Sequence, residues 1–385
     1  MRRNQIPRYR FPWREGNRFT LLINGEQFFP HMLEAIRGAR HHILLEMYLV
    51  NSGALTERFI SALSDAAARG VWVYVLLDAY GAGGLHGRDR ERLRHAGTEL
   101  VFYNPLNYGE FRRNLFRDHR KLLCIDGESA FVGGTGLSDE FDPAHHGKRR
   151  WHEAMVKVQG PVVADWETLF CENWQRWSSV PVRTLEALPA TAGDQTGRLT
   201  TNQHRRPTEV KSSLLKHIRA AERRVWLATA YFIPSWKIRR ALRQAASAGI
   251  DVRLLLPGPY CDHPAVRHAG RRFYGRLLRH GVRIYEYQPS FLHAKVILCD
   301  QWCAVGSSNI DRWNLRWNLE ANQEIDDRAF ADQLTEMFEK DFTESLELDD
   351  ESWRRRPWYL RLLERFWGGV DLWLEREGQR RRPGE

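Results

Sequence analysis

His119-Arg-Lys121-Leu-Leu-Cys-Ile-Asp126 runs on to Val132-Gly133-Gly134, and His293-Ala-Lys295-Val-Ile-Leu-Cys-Asp300 runs on to Val305-Gly306-Ser307-Ser308-Asn309. Both stretches read H-x-K-x4-D and then a turn of small residues. One such match arises by chance roughly 0.02 times in a chain of this composition, and two in register far less often. The surroundings repeat as well. Ile43–Val50 and Val71–Leu77 are apolar runs separated by a helical pattern that ends Ala66-Ala-Ala-Arg-Gly70. Val225–Ile233 and Ile250–Leu256 are separated in the same way, the pattern ending Ala245-Ala-Ser-Ala-Gly249. His95-Ala-Gly97 leads into Leu100–Tyr103, as Arg279-His-Gly281 leads into Val282–Tyr287. Each unit is strand, Gly-closed amphipathic helix, strand. Near-continuous apolar strands belong to sheets covered on both faces. The expected fold is α/β, built from two homologous halves.

The spacing also carries chemistry. On a strand, side chains at i and i+2 share a face, so each His stands beside its Lys. The small residues that follow leave room for a ligand to approach backbone N–H groups. Two copies brought together supply two imidazoles and two ammonium groups around one anionic centre. Phosphoryl transfer needs that set: a nucleophile, an acid for the leaving oxygen, and positive charge on the equatorial oxygens. Lysine is otherwise scarce here, with eight among 58 basic residues, and the two motifs claim two of the eight. Two lysines supply the charge, so no metal and no cofactor is expected.

Composition narrows the classes. The 385 residues carry 58 basic and 48 acidic side chains, a formal net charge of +10 that suits a nucleic acid, a membrane surface or an anionic substrate. Hydrophobic residues at 43% and charged residues at 28% exclude a largely disordered chain and a multi-pass membrane protein. No apolar run reaches about 18 residues, so no spanning helix is expected. Met1-Arg-Arg-Asn-Gln5 has no apolar stretch behind it, so no secretory signal is expected either. Five cysteines without zinc spacing point to a reducing compartment and against a disulfide framework.

The doubled motif resembles the signature of the phospholipase D superfamily. Trp13-Arg-Glu-Gly-Asn17, Asn24-Gly-Glu-Gln-Phe-Phe-Pro30, Leu77-Asp-Ala-Tyr-Gly81, Gly306-Ser-Ser-Asn-Ile-Asp311 and Asn318-Leu-Glu-Ala-Asn322 bring it nearest to bacterial cardiolipin synthases of the B type. The likeness runs from about Trp13 to Phe338. It implies two phospholipase D-like halves, each a mixed β-sheet flanked by helices, with the active site at their pseudo-two-fold interface. It also implies a ping-pong transfer: two phosphatidylglycerol molecules give cardiolipin and glycerol through a phosphohistidine. In that reading His119 is the nucleophile and His293 the acid/base, although the motif itself is symmetric. Lys121 and Lys295 hold the phosphate, with Gly134, Ser307 and Asn309 assisting. Asp126 and Asp300 complete the catalytic set, their part mainly structural. Glu153 and Glu320 are the carboxylates that orient an imidazole across the site, as the resemblance implies. The first half departs from the pattern at Gly136, where an Asn is usual, and at Glu153, where an Asp is common.

Residues 1–188 are assigned to the first half, 189–197 to a linker, 198–350 to the second half and 351–385 to a basic aromatic tail. In the tail, Tyr359, Leu362, Leu363, Phe366 and Val370 fall on one helical face, and Gly368-Gly369 is expected to break or kink the helix. With Trp353, Trp358, Trp367 and Trp373 and nine arginines, this reads as an amphipathic helix on an anionic bilayer. Arg112, Arg113, Arg117 and Arg120 are a candidate basic rim that gathers headgroups, whereas His145 and His146 are given no role. The expected partners are an anionic phospholipid and a membrane surface, not nucleic acid. The expected location is the cytoplasmic face of a bacterial inner membrane, as a peripheral protein. The competing readings are a phospholipid-hydrolysing phospholipase D, a nucleic-acid phosphodiesterase of the same fold and a non-catalytic lipid-binding scaffold.

Overall fold

A computed structural model describes residues 9–107, 109–110, 113–142, 144, 150–184, 190–202, 209–312, 314–364 and 366–369. The first half supplies strands β1 (Arg14–Ile23), β2 (His42–Met47), β3 (Trp72–Asp78), β4 (Glu99–Tyr103), β5 (Lys121–Ile125), β6 (Ser129–Gly133) and β7 (Ala154–Gln159). The second supplies β8 (Gln195–Asn202), β9 (Arg224–Ala228), β10 (Asp251–Pro257), β11 (Arg283–Tyr287), β12 (Val296–Cys299), β13 (Trp302–Gly306), β14 (Glu320–Asp326) and β15 (Ser345–Leu348). They form one 15-stranded sheet in the order β15-β11-β10-β9-β12-β13-β14-β8-β1-β7-β6-β5-β2-β3-β4. The order is a mirror about the β8–β1 seam, with β15 added at one edge.

The apolar runs account for the middle of each half. β2, β3 and β4 pair in parallel, as do β9, β10 and β11. Helices Ala54–Ala68 and Gly87–His95 cross over between the first set, and helices Trp236–Ser247, Pro264–Arg271 and Tyr274–Leu278 between the second. The glycines that mark the repeat sit in the left-handed region in both halves: Gly70 at φ +89° and Gly249 at +91°, Gly97 at +89° and Gly281 at +86°. Only glycine enters that region without a Cβ penalty, so each stops its helix and turns the chain into the next strand.

Three buried clusters follow from this arrangement. One underlies the outer helices of each half. The third lies between helix Val163–Trp174 and helix Arg328–Thr343 and belongs to both halves. In it Trp166 Nε1 donates to Gln323 Oε1 at 2.9 Å, and the rings of Phe19 and Phe330 meet edge to face at 6.4 Å. Each such fully buried aromatic contributes about 2–3 kcal/mol, so the seam is a core and not a hinge.

Two boundaries differ from the sequence reading. β8 starts at Gln195, so the last three residues assigned to the linker are strand, paired with β1 as Gly197 opposite Arg14 and Gln195 opposite Asn17. Residues 185–189, within and beside the linker candidate, lie outside the described residues, as do His145, His146, Arg112, Val370 and Trp373. In the tail, residues 358–364 and 366–369 are helical, so Gly368 and Gly369, where a break or kink was expected, are themselves helical and are the last described residues. The tail both docks and exposes a face. Trp353 is buried against Tyr274, with ring centroids 5.2 Å apart, and Glu364 is buried beneath Arg356 at 2.7 Å. Trp358, Tyr359, Leu362 and Phe366 face solvent.

Candidate active site

The two motifs reach the seam by the same device. Each leaves its ladder just before its Lys and pairs instead with the other half. His119 N–H donates to Leu319 O at 3.0 Å, and Leu319 N–H donates to Arg117 O at 2.9 Å. His293 N–H donates to His152 O at 2.8 Å, beside the parallel pairs Phe291–Trp151 and Leu292–His152. The partners Leu319 and His152 immediately precede Glu320 and Glu153. Pairing the backbones across the seam therefore delivers each carboxylate to the other half's imidazole.

The pairs are crossed. His119 Nδ1 lies 3.0 Å from Glu320 Oε1 and 3.2 Å from Oε2. His293 Nδ1 lies 2.6 Å from Glu153 Oε2. A carboxylate at Nδ1 fixes the tautomer and leaves the Nε2 lone pair free. Both carboxylates are themselves held. Glu153 Oε1 accepts from the Ala154 N–H at 3.0 Å, and its own N–H donates to Asn24 Oδ1 at 3.1 Å. Ser307 Oγ donates to Glu320 Oε2. Gly134, the counterpart of Ser307, backs Glu153 so closely that a Cβ there would collide with Oε2.

The lysines lie beneath the histidines, and all four side chains are buried. Lys121 Nζ donates to His119 O at 2.5 Å. Lys295 Nζ lies 2.7 Å from His293 Nδ1, 3.1 Å from its Nε2 and 3.3 Å from Glu153 Oε2, and it also donates to His293 O. Burial lowers the proton affinity of His119 against the pull of Glu320. It lowers that of His293 much further, with Lys295 adding to the effect. Burial pushes Lys121 down to about 7, with Glu320 opposing and Lys295 reinforcing. Lys295 is pushed down by burial against Glu153, and Glu153 is pushed up by burial against Lys295. Burial disfavours the charge on both imidazoles and both ammonium groups, and a phosphodiester placed among them would restore it.

A model of the family described as cardiolipin synthase, phospholipase D-like domain, matches residues 32–174 and 214–342. The chain belongs to this family. It is 36% identical to cardiolipin synthase A of Pseudomonas aeruginosa over 352 residues, 90% of this chain and 71% of that protein. It is 36% identical to cardiolipin synthase B of Salmonella typhi over 358 residues, 90% of this chain and 86% of that protein. Among solved structures, a phosphatidylserine synthase from Haemophilus influenzae has a TM-score of 0.71 at 12% identity, covering 91% of this chain and 93% of that one, and so shares the fold.

In this member of the cardiolipin synthase family some expected site residues stand elsewhere. Asp126 and Asp300 lie at the far ends of β5 and β12, roughly 15 Å of strand from the lysines. Both have φ +54°, and each caps a turn. Asp126 accepts from the N–H groups of Arg40, His41 and His42, each at 2.8 Å. Asp300 accepts from Glu222 at 2.8 Å and from Arg223 and Arg224 at 3.0 Å. They shape the scaffold and touch no reacting atom. Arg117 and Arg120 are not a rim: they are buried, with Arg117 facing Asp78 and Arg120 facing Glu46, each at 3.5 Å. Arg113 is engaged with Asn104 at 3.0 Å. Asn309 is buried with Oδ1 3.3 Å from Thr229 Oγ1, and its Nδ2 has no partner. Its counterpart Gly136 has no room for a side chain, because Leu49 fills the space.

Other residues of the site carried no sequence signal. Tyr48 packs its ring 4.9 Å from that of His119 and 5.1 Å from Lys121 Nζ. Trp151, Phe141 and Phe291 surround His293 at 4.8, 5.5 and 5.6 Å. Tyr48 directly follows Met47, which pairs with Lys121 across β2 and β5, and that register places its ring at the site.

Proposed function

We infer that the protein is a phosphatidyltransferase that makes cardiolipin from two molecules of phosphatidylglycerol. The crossed pairing of each motif histidine with the other half's carboxylate carries this reading. In the first step His119 Nε2 attacks phosphorus, and the P–O bond to the headgroup glycerol breaks. His293, which takes up a proton once the phosphodiester brings negative charge beside it, gives that proton to the departing alkoxide, and the positive charge that forms on His119 is balanced by Glu320. In the second step His293 takes a proton from the glycerol hydroxyl of another phosphatidylglycerol. That oxygen attacks phosphorus, the P–N bond breaks and cardiolipin leaves. Lys121, Lys295 and the free Asn309 N–H group hold the non-bridging oxygens throughout. The 2.6 Å contact of His293 with Glu153 suits the residue that must carry a proton between the two alcohols.

The substrate is a lipid, so the site must be reached from a bilayer. The reading puts the protein on the cytoplasmic face of a bacterial inner membrane, with the exposed Trp358, Tyr359, Leu362 and Phe366 face in the interface. Among the described residues, no helix is long and apolar enough to cross a membrane. The test is the purified chain on vesicles containing phosphatidylglycerol, with products read by mass spectrometry. Cardiolipin and glycerol in equal amounts are expected, and enzyme quenched rapidly in denaturant at alkaline pH, where the P–N bond survives, should carry its phosphohistidine at 119 and not at 293. Phosphatidic acid as the main product would replace transfer by hydrolysis.

A further inference from the structure

Several arginines of the second half are matched by carboxylates. Arg267 and Arg271 meet Glu286, Arg283 meets Glu347, and Arg253 meets Asp251. Four on adjacent helices are not. Arg239, Arg240 and Arg243 of helix Trp236–Ser247 and Arg276 of helix Tyr274–Leu278 form no ion pair with any described carboxylate. Arg239 is half-buried, its guanidinium 4.3 Å from the Phe273 ring centroid, and its Nε is buried without a partner. Burial and the charges of Arg272, Arg312, Arg243 and Arg276 depress its proton affinity. Arg243 is depressed by burial, Arg276 and Arg240. Gathering like charges with no counter-charge destabilises the fold unless an anion is bound there.

The space between these helices fits such an anion. Trp236, Arg240, Arg243, Arg276 and His280 line an open cleft of about 330 Å³, in the size range of small-molecule sites. Trp236 is 56% exposed at the rim. An exposed indole beside arginines is the pairing found where a protein meets lipid headgroups. Arg276 also lines the next cleft, which it shares with Arg272, Arg279, Arg354 and Arg356 and with Asp350 at the root of the tail, where Arg354 meets Asp350 and Arg356 meets Glu364. Arg272 in turn donates to Gly368 O. The arginines therefore run from the Trp236 rim to the tail whose apolar face is exposed. A free phosphate would use the arginines alone; a lipid phosphodiester uses the arginines and the indole together.

We propose that the cleft between helices Trp236–Ser247 and Tyr274–Leu278 binds the headgroup of an anionic phospholipid in the membrane surface, as a second lipid site that shares no residue with the histidine site. It seats the enzyme on membranes rich in its own substrate class. The test measures partition of the full chain onto phosphatidylcholine vesicles with and without phosphatidylglycerol. Arg243→Gln with Arg276→Gln should weaken partition onto the phosphatidylglycerol vesicles about twentyfold, and the exposed Arg240→Gln alone about fivefold. Turnover of detergent-dispersed phosphatidylglycerol and the melting temperature should stay near the parent's for Arg240→Gln, which keeps the test decisive if the double variant folds poorly. Undiminished partition of Arg240→Gln overturns the proposal. So does inorganic phosphate that raises the parent's melting temperature and not the variant's while vesicle partition is equal, because the cleft then serves a soluble anion. Partition is read without turnover, so a chain that binds vesicles but makes no cardiolipin would count against the reaction and not against this site.

Discussion

At the scale of single residues, the site trades stability for chemistry. A buried ammonium is costly, and Lys121 shows it, being pushed down by burial to about 7 from an unfolded value near 10.5. Between those values the unfolded chain holds the proton and the folded chain does not. Stability contributed by this residue therefore rises with pH from about 7 to 10.5 and is lowest below 7. Lys121→Met should abolish transfer and raise the melting temperature at neutral pH, by an amount equivalent to about 1–2 kcal/mol. Calorimetry at pH 6 and pH 9 should find the gain larger at pH 6, and an equal gain at both would refute the cost assigned to the charge. The same value sets kinetics: kcat/KM should fall as pH rises through about 7, while kcat should hold to higher pH because bound phosphate keeps Lys121 charged. The His-x-Lys pairs were legible because alternation on an extended chain puts both side chains on one face. Their carboxylates were legible only through the family likeness, because Glu320 is 201 residues from His119 and no local pattern joins them. Tyr48 and Trp151 were silent for a different reason, since an aromatic in an apolar run looks the same whether it packs a core or a catalytic ring.

At the scale of elements, the motif's Asp belongs to a turn. β5 ends at Ile125, Asp126 turns at φ +54°, and its carboxylate gathers the three N–H groups that lead into β2. Asp300 repeats this before β9, and the N–H groups of Glu222, Arg224 and Arg223 hold its carboxyl below the usual range although burial pushes the other way. The spacing H-x-K-x4-D therefore measures the length of one strand, with chemistry at its start and an anchor at its end. Asp126→Ala should destabilise by about 2–4 kcal/mol through three unsatisfied donors, and Asp126→Asn by much less, since Asn accepts a hydrogen bond and tolerates the left-handed region. Both should retain near-parent kcat per folded molecule; a kcat collapse in stably folded Asp126→Asn would return this residue to the catalytic set. Gly134 behaves in the opposite way. It stands just past the end of β6, where a Cβ would displace Glu153. Gly134→Ala should leave the melting temperature within a few degrees and lower kcat about tenfold or more, because His293 loses its orienting carboxylate.

At the scale of the whole molecule, the sequence showed two copies of one unit and hid what joins them. The repeat was visible because each copy has its own apolar strands and Gly-closed helices. The seam was not, because β1 and β8 are short on apolar alternation and their pairing is long-range. The central cluster likewise takes Trp166, Trp174, Phe330 and Phe338 from helices that look, one at a time, like ordinary amphipathic helices. The result is a protein whose halves cannot be independent. Each half alone would expose the face it gives to the shared core and leave its seam strand, β1 or β8, with one edge unpaired. Each would also hold one imidazole without its carboxylate, and one buried carboxylate without its imidazole. Fragments 1–188 and 189–385 produced separately should therefore be aggregation-prone and inactive. Produced together in one cell they should associate through β1 and β8 and recover cardiolipin synthesis, since cutting the connection removes no group of the site. His119→Ala in the first fragment should abolish the recovered activity, and so should His293→Ala in the second, because the paired fragments build one site that needs both imidazoles. An isolated fragment that is monomeric, folded and active on phosphatidylglycerol would break the argument at its base, for it would mean that one motif suffices and that the crossed pairs are a packing feature.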